Sequence, residues 1–159
     1  MAFPLVADEH CRVLVLGSLP GVRSLREGRY YAHPRNQFWQ LMSPVVDVDL
    51  PPLPYPDRLA ALVACGVGLW DVVASARRIG SLDAAMRDAT PRDVRAAAAN
   101  LPKLRVLAFN GAAAFRIGQR QLGNPTIWPA VALPSSSPAH TVSLATKAAA
   151  WSGLREYLR

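Results

Sequence analysis

RVLVLG, residues 12–17, is the stretch on which the fold turns. After Arg12 every side chain is β-branched or aliphatic, and the run stops at Gly17, with Pro20 and Gly21 close behind. A strand that alternates apolar with polar residues turns one face to water; one that is apolar throughout must be covered on both faces. The same character returns at Val67 to Trp70 before Asp71, at Arg105 to Phe109 before Asn110 and Gly111, and at Ala130 to Leu133 before Pro134. Helical periodicity fills the intervals, at Asn36 to Val46, Arg58 to Cys65, Pro91 to Asn100 and Ala112 to Leu122, with Val142 to Leu158 closing the chain. For the third of these, Thr90 is the expected N-cap, Pro91 the first helical residue and Asp93 a member of the first turn. Alternation of buried strands with helices predicts an α/β fold with a parallel sheet covered on both sides, and ligands in such sheets sit beyond the carboxyl ends of the strands. Polar residues at those ends are therefore the first candidates for a site.

The chain has 159 residues, 51% of them hydrophobic, enough for one domain over residues 1–159 that buries about 70% of the surface its unfolded form exposes. Eighteen Lys and Arg against eleven Asp and Glu leave a net charge of +7, which favours a polyanionic partner such as nucleic acid. Two cysteines, Cys11 and Cys65, cannot supply the four thiolates of an iron–sulfur cluster or a Cys-only zinc site. The expectation is free thiols, no metal and no cofactor. MAFPLVADEHCR lacks a signal-peptide pattern, and no apolar run approaches the 18 residues of a membrane span. A cytoplasmic monomer is expected. The proline-rich Pro51 to Pro56 stretch reads as a loop, since it is too short to separate one domain from another.

Two segments stand out chemically. GSLPG, residues 17–21, leaves the first strand through two glycines and a proline, so that backbone can approach a ligand closely; by itself it is equally a plain turn, and it lacks the residues of a phosphate-binding glycine loop. YYAHPRNQFW, residues 30–39, packs four aromatics, a His, an Arg and an Asn into ten positions of a chain only 8% aromatic. Phe38 and Trp39 fit a helix core. Tyr30, Tyr31 and Asn36 are less simply explained, because they precede or begin the helix in a stretch that Pro34 keeps extended.

These two segments, with GLWDVV at 68–73, GSLDA at 80–84, FNG at 109–111 and LPSSSPAH at 133–140, resemble in order the hypoxanthine-DNA glycosylase branch of the uracil-DNA glycosylase superfamily. The resemblance spans nearly the whole chain. It implies a three-layer α/β/α sandwich around a short, mainly parallel, four-stranded sheet. It also implies a monofunctional glycosylase that excises a deaminated base, hypoxanthine before uracil, from DNA by base flipping and water attack. The superfamily's mismatch-specific uracil branch usually carries a water-positioning Asn where Leu19 stands here. Leucine can neither orient nor activate water, and the resemblance assigns the functional amide to Asn36 instead. An amide suits the task, since its oxygen accepts a hydrogen bond from water while its NH2 donates to the base. Asn36 as nothing more than a helix N-cap is the competing reading.

On the same resemblance Tyr31 stacks on the extruded base, with a buried core tyrosine as the alternative. Gly17, Ser18, the backbone of Leu19, Asp71 and Asn110 lie at predicted strand ends and are the remaining pocket groups, although Asp71 equally suits a cap. Three serines and two prolines make LPSSSPAH a stiff, phosphate-binding, DNA-wedging loop through Ser135, Ser136 and Ser137. The family commonly has Asn where His140 stands, which leaves that residue between a DNA contact and plain surface. Arg23, Arg26, Arg29, Arg35 and Lys147, with Arg77 and Arg78, are candidate phosphate cations as a cluster. His33 is expected to fix its loop, and His10 to be surface. Three other functions compete: a uracil or thymine mismatch glycosylase, a damaged-DNA-binding module without catalysis, and a serine hydrolase. The last lacks a G-x-S-x-G elbow.

Overall fold

The computed structural model describes residues 3–77, 87–123 and 126–159. Four strands form the central sheet: β1 (Val13–Gly17), β2 (Val67–Asp71), β5 (Val106–Asn110) and β6 (Ala130–Leu133). Their order is β2-β1-β5-β6, and every pairing is parallel. All four fall where the apolar runs predict.

Strand geometry sends successive side chains to opposite faces. Val13, Val15, Val67, Leu69, Val106 and Ala108 join one buried cluster, with Phe38, Trp39, Leu62, Trp151 and Leu154. Leu14, Leu16, Leu107 and Phe109 join another, with Val94, Ala98, Ala114 and Leu122. The first face carries α2 (Phe38–Val46), α3 (Tyr55–Ala64), α6 (Leu144–Trp151) and a 3-10 segment, Ser152–Leu158; the second carries α4 (Val94–Ala99) and α5 (Ala112–Leu122). This is the expected three-layer sandwich. At Gly118 the layers touch so closely that a Cβ would collide with the Phe109 ring.

Several local readings change. Thr90 and Pro91 do not open a helix; they end β4 (Arg87–Pro91), which pairs antiparallel with β3 (Val73–Arg77) in a separate two-stranded sheet. Pro91 is tolerated because it closes an edge strand, where a missing N–H breaks no ladder. The cap of α4 is Asp93, whose carboxylate accepts from the Ala96 amide at 3.0 Å. A short helix, α1 (Val22–Glu27), occupies the space between Gly21 and Gly28. The α2 helix starts at Phe38, two residues after Asn36, and α3 starts earlier than expected, at Tyr55. The closing helix is α-helical only to Trp151, because Ser152 and Gly153 are poor helix formers and the last turns tighten to 3-10. Arg78 and the GSLDA block at 80–84 lie outside the described residues.

Connections from β1 and β5 run to opposite sides, so the sheet has its topological switch between these two strands. Register aligns the carboxyl ends there: Gly17 pairs with Asp71, Leu16 with Phe109, and Asn110 with Leu133. No helix among the described residues is long and apolar enough to cross a membrane.

Candidate active site

A cavity of about 260 Å³ opens at that switch point. The size is just below the roughly 300–1,000 Å³ usual for small-ligand sites, so a ligand smaller than a drug-sized molecule would fill it. Gly17, Ser18, Leu19, Tyr31, Asn36, Asp71 and Asn110 all line it, and Arg23, Ser135, Ser136 and Ser137 stand in its wall as well. Other expected residues lie elsewhere, His140 and Lys147 among them. His140 is exposed beyond the rim, its amide bonded to the Ser137 carbonyl. Lys147 is 1% exposed, beneath the serine loop rather than facing outward.

Gly17 is dictated by contact. A Cβ there would lie 2.8 Å from Asp71 Oδ1 and 3.4 Å from the Tyr31 hydroxyl, so the carboxylate and the phenol close over a position that admits no side chain. Asp71 itself is buried at the end of β2. Next to it Tyr30 is fully enclosed, and burial first, then the negative charge of Asp71, pushes its phenol well above the ordinary range. Tyr30 therefore stays neutral and donates to the Pro4 carbonyl at 3.2 Å.

Tyr31 has φ of +55°, a left-handed conformation that a bulky residue adopts only at a cost of roughly 1–3 kcal/mol. The surroundings hold it there. Its carbonyl accepts from the Trp39 indole at 3.3 Å, and its ring stacks on Phe38 with centroids 4.0 Å apart and 14° between planes. One face of the ring is thus covered by the core. The segment that follows is tied to α1 by the Ala32 amide donating to Ser24 Oγ at 3.0 Å, and it is turned by the Arg35 amide donating to His33 Nδ1 at 3.0 Å. Because Nδ1 accepts, the His33 ring carries its proton on Nε2.

Asn36 occupies the cavity wall and serves the helix at the same time. Its Oδ1 accepts from the Phe38 amide at 3.0 Å, satisfying one of the orphan donors at the start of α2. Gln37 rather than Asn36 holds the cap position of α2, so Asn36 serves the helix only through this side-chain bond, and that bond does not exclude the pocket. The amide oxygen has a second lone pair, and the NH2 has two donors besides.

Asn110 anchors the serine loop. Its Oδ1 accepts from the Ser136 amide at 2.9 Å, its Nδ2 donates to Ser136 Oγ at 2.9 Å, and the same Nδ2 reaches the Tyr31 hydroxyl at 3.3 Å. From the other side the Gln37 amide donates to the Ser136 carbonyl at 2.9 Å. Sequence reasoning does not reach Gln37 and Ser24 as holders of the site. Neither carries a signal by itself, although Gln37 adjoins Asn36. Arg23 at the mouth donates to Glu27 Oε2 at 2.6 Å, an i,i+4 pair on α1 with the guanidinium about half exposed.

Fold and cavity together define an α/β/α sandwich with a small polar site at its switch point. The chain belongs to the uracil DNA glycosylase superfamily, whose family model matches residues 3–157. It is similar to the hypoxanthine DNA glycosylase of Methanosarcina barkeri, 36% identical over 151 residues that cover 94% of this chain and 93% of the relative. The protein of the same name from Methanosarcina acetivorans is 37% identical over 140 residues, covering 87% and 86%. A Methanosarcina acetivorans protein of the uracil DNA glycosylase kind, solved by solution NMR, matches with a TM-score of 0.85 at 33% identity, over 99% of this chain and 96% of that one.

Proposed function

We propose that this chain is a monofunctional DNA N-glycosylase, a cytoplasmic monomer that excises a deaminated base, hypoxanthine in preference to uracil. The observation that carries the reading is the convergence of Asn36, Tyr31, Asp71 and Asn110 on one small cavity at the switch point. The names of the two Methanosarcina relatives supply the preference for hypoxanthine.

A base inside a duplex cannot be reached, so the nucleotide rotates out, at a cost of a few kcal/mol that is smallest for mispaired bases. The face of the Tyr31 ring turned away from Phe38 receives it by stacking. As the bond between base and sugar stretches, positive charge grows on the sugar and negative charge on the base, and fixed donors facing the base lower the barrier. Asn36 Nδ2 and the backbone of Ser18 and Leu19 are those donors. Water directed by Asn36 Oδ1 adds its oxygen to the sugar carbon; the bonding pair leaves with the base, which takes up a proton, and an abasic sugar remains. Asp71, a carboxylate beside the developing cation, favours that charge. No lysine is among the described residues lining the cavity. Ser135, Ser137 and the arginines at the mouth hold the DNA backbone.

The test is excision from oligonucleotides carrying hypoxanthine, uracil, xanthine or an abasic site. Hypoxanthine should be released fastest and the abasic strand left uncut; uracil release at an equal or greater rate would overturn the preference. Tight binding of the damaged strand without release would replace the enzyme with a binding module.

A further inference from the structure

Lys147 is the most deeply buried charge among the described residues. It lies on α6 one turn before Trp151, and both side chains are almost wholly enclosed, at 1% and 0% exposure. Its Nζ donates to Gln37 Oε1 at 2.8 Å and to the Ser137 carbonyl at 3.2 Å. Trp151 Nε1 donates to the Pro134 carbonyl at 2.9 Å. The loop that follows β6 is thus stapled to α6 at both ends.

Both partners of the ammonium are neutral, and none of the ion pairs among the described residues includes it. Burial accordingly pulls its proton affinity down. A buried cation is expensive to keep, and an apolar side chain of similar length fills such a hole at no electrostatic cost. Packing alone therefore does not account for a lysine here. What a methionine could not do is hold two acceptors from two different segments. One is the serine loop. The other is Gln37, the residue directly after Asn36, whose own amide is bonded to the Ser136 carbonyl.

Resting on the glycosylase reading above, we propose that Lys147 is a positioning residue that locks the serine loop to the Asn36 segment, so that DNA seated on the loop and the amide aimed at the sugar move as one unit. Its own nitrogen never meets DNA. The link runs from Lys147 through Gln37 to Asn36 on one side, and through Ser137 and Ser136 to Asn110 on the other.

The experiment compares wild type, Lys147→Met, Gln37→Leu and the double variant in single-turnover release of hypoxanthine at saturating enzyme, alongside Tm and amide exchange. Each single change should slow release about tenfold, the scale of one charge-assisted hydrogen bond. The double variant should be no slower than the slower single, and its Tm should hold or rise, whereas Gln37→Leu alone, which leaves the buried ammonium one acceptor short, should lower Tm. Amides of Gln37 and Ser136 should exchange faster in Lys147→Met while those of β1 do not. Wild-type rates in both single variants, or losses that multiply in the double, would overturn the proposal. Should Lys147→Met fail to fold, the half-buried Gln37→Leu carries the same comparison. Exchange reads the lock independently of chemistry: unchanged protection defeats it, whereas an inactive wild type defeats the glycosylase reading instead.

Discussion

The two ends of the central sheet use their polar residues in opposite ways. At the amino ends of the strands, Arg12 donates to the Leu158 carbonyl at 3.0 Å, Arg105 to those of Tyr157 and Arg159, and Arg155 to that of Pro44 at 3.0 Å. Cations there close carbonyls in the last turns of α2 and of the 3-10 segment, a role that suits a helix terminus and needs no partner molecule. At the carboxyl ends, Asn36, Asp71 and Asn110 line an open cavity, and Arg26, Arg29 and Arg35 nearby stand exposed. A net charge of +7 therefore overstates what is offered to a polyanion, because a share of it is engaged in holding the fold at the far end.

Substitutions that spare one end and damage the other test this division. The largest loss of stability is expected from Asn110→Ala, which leaves the buried Ser136 amide without its acceptor and releases the loop. Stability should fall by about 2 kcal/mol in denaturant titration, and excision at fixed enzyme at least tenfold. Arg105→Ala at the opposite end should cost about 1 kcal/mol in the same titration and leave excision per folded molecule unchanged. A tenfold loss of activity there would erase the contrast. The smallest effect is a dependence on pH. Burial pushes the Cys11 thiol up to about 11 from its ordinary 9.0. The unfolded chain gives up this proton first, so Cys11 favours the fold below pH 9 and its contribution fades as pH rises toward 11. Thermal unfolding across that window should decline less steeply in Cys11→Ala, provided both proteins are referred to their own value at about pH 8.

The sheet was legible because burial on both faces writes itself as uninterrupted apolar runs, as in RVLVLG. The β3–β4 pair was not, since VASAR and RDATP carry neither alternation nor β-branched density, and Pro91 imitates a helix start. The α1 helix, six residues between two glycines, is too short for periodicity to register. Of the residues proposed for the site, those at strand ends could be found from position alone, because register brings Gly17, Asp71 and Asn110 to one edge. Lys147 lies inside, against the expectation of a surface cation. The clue is its i,i+4 spacing from Trp151, which puts the lysine on the buried stripe of α6. Asn36 could not be divided between cap and pocket by sequence, because its side chain bonds to the first amide of α2 and lines the cavity as well.

That double position makes Asn36→Ala the most direct measurement. Release of hypoxanthine under single-turnover conditions, read beside the unfolding free energy of the same preparation, separates its two roles. The account predicts a folded protein weakened by about 1 kcal/mol, the worth of a lost cap, in which excision is abolished. Excision at the wild-type rate in that folded variant would contradict it.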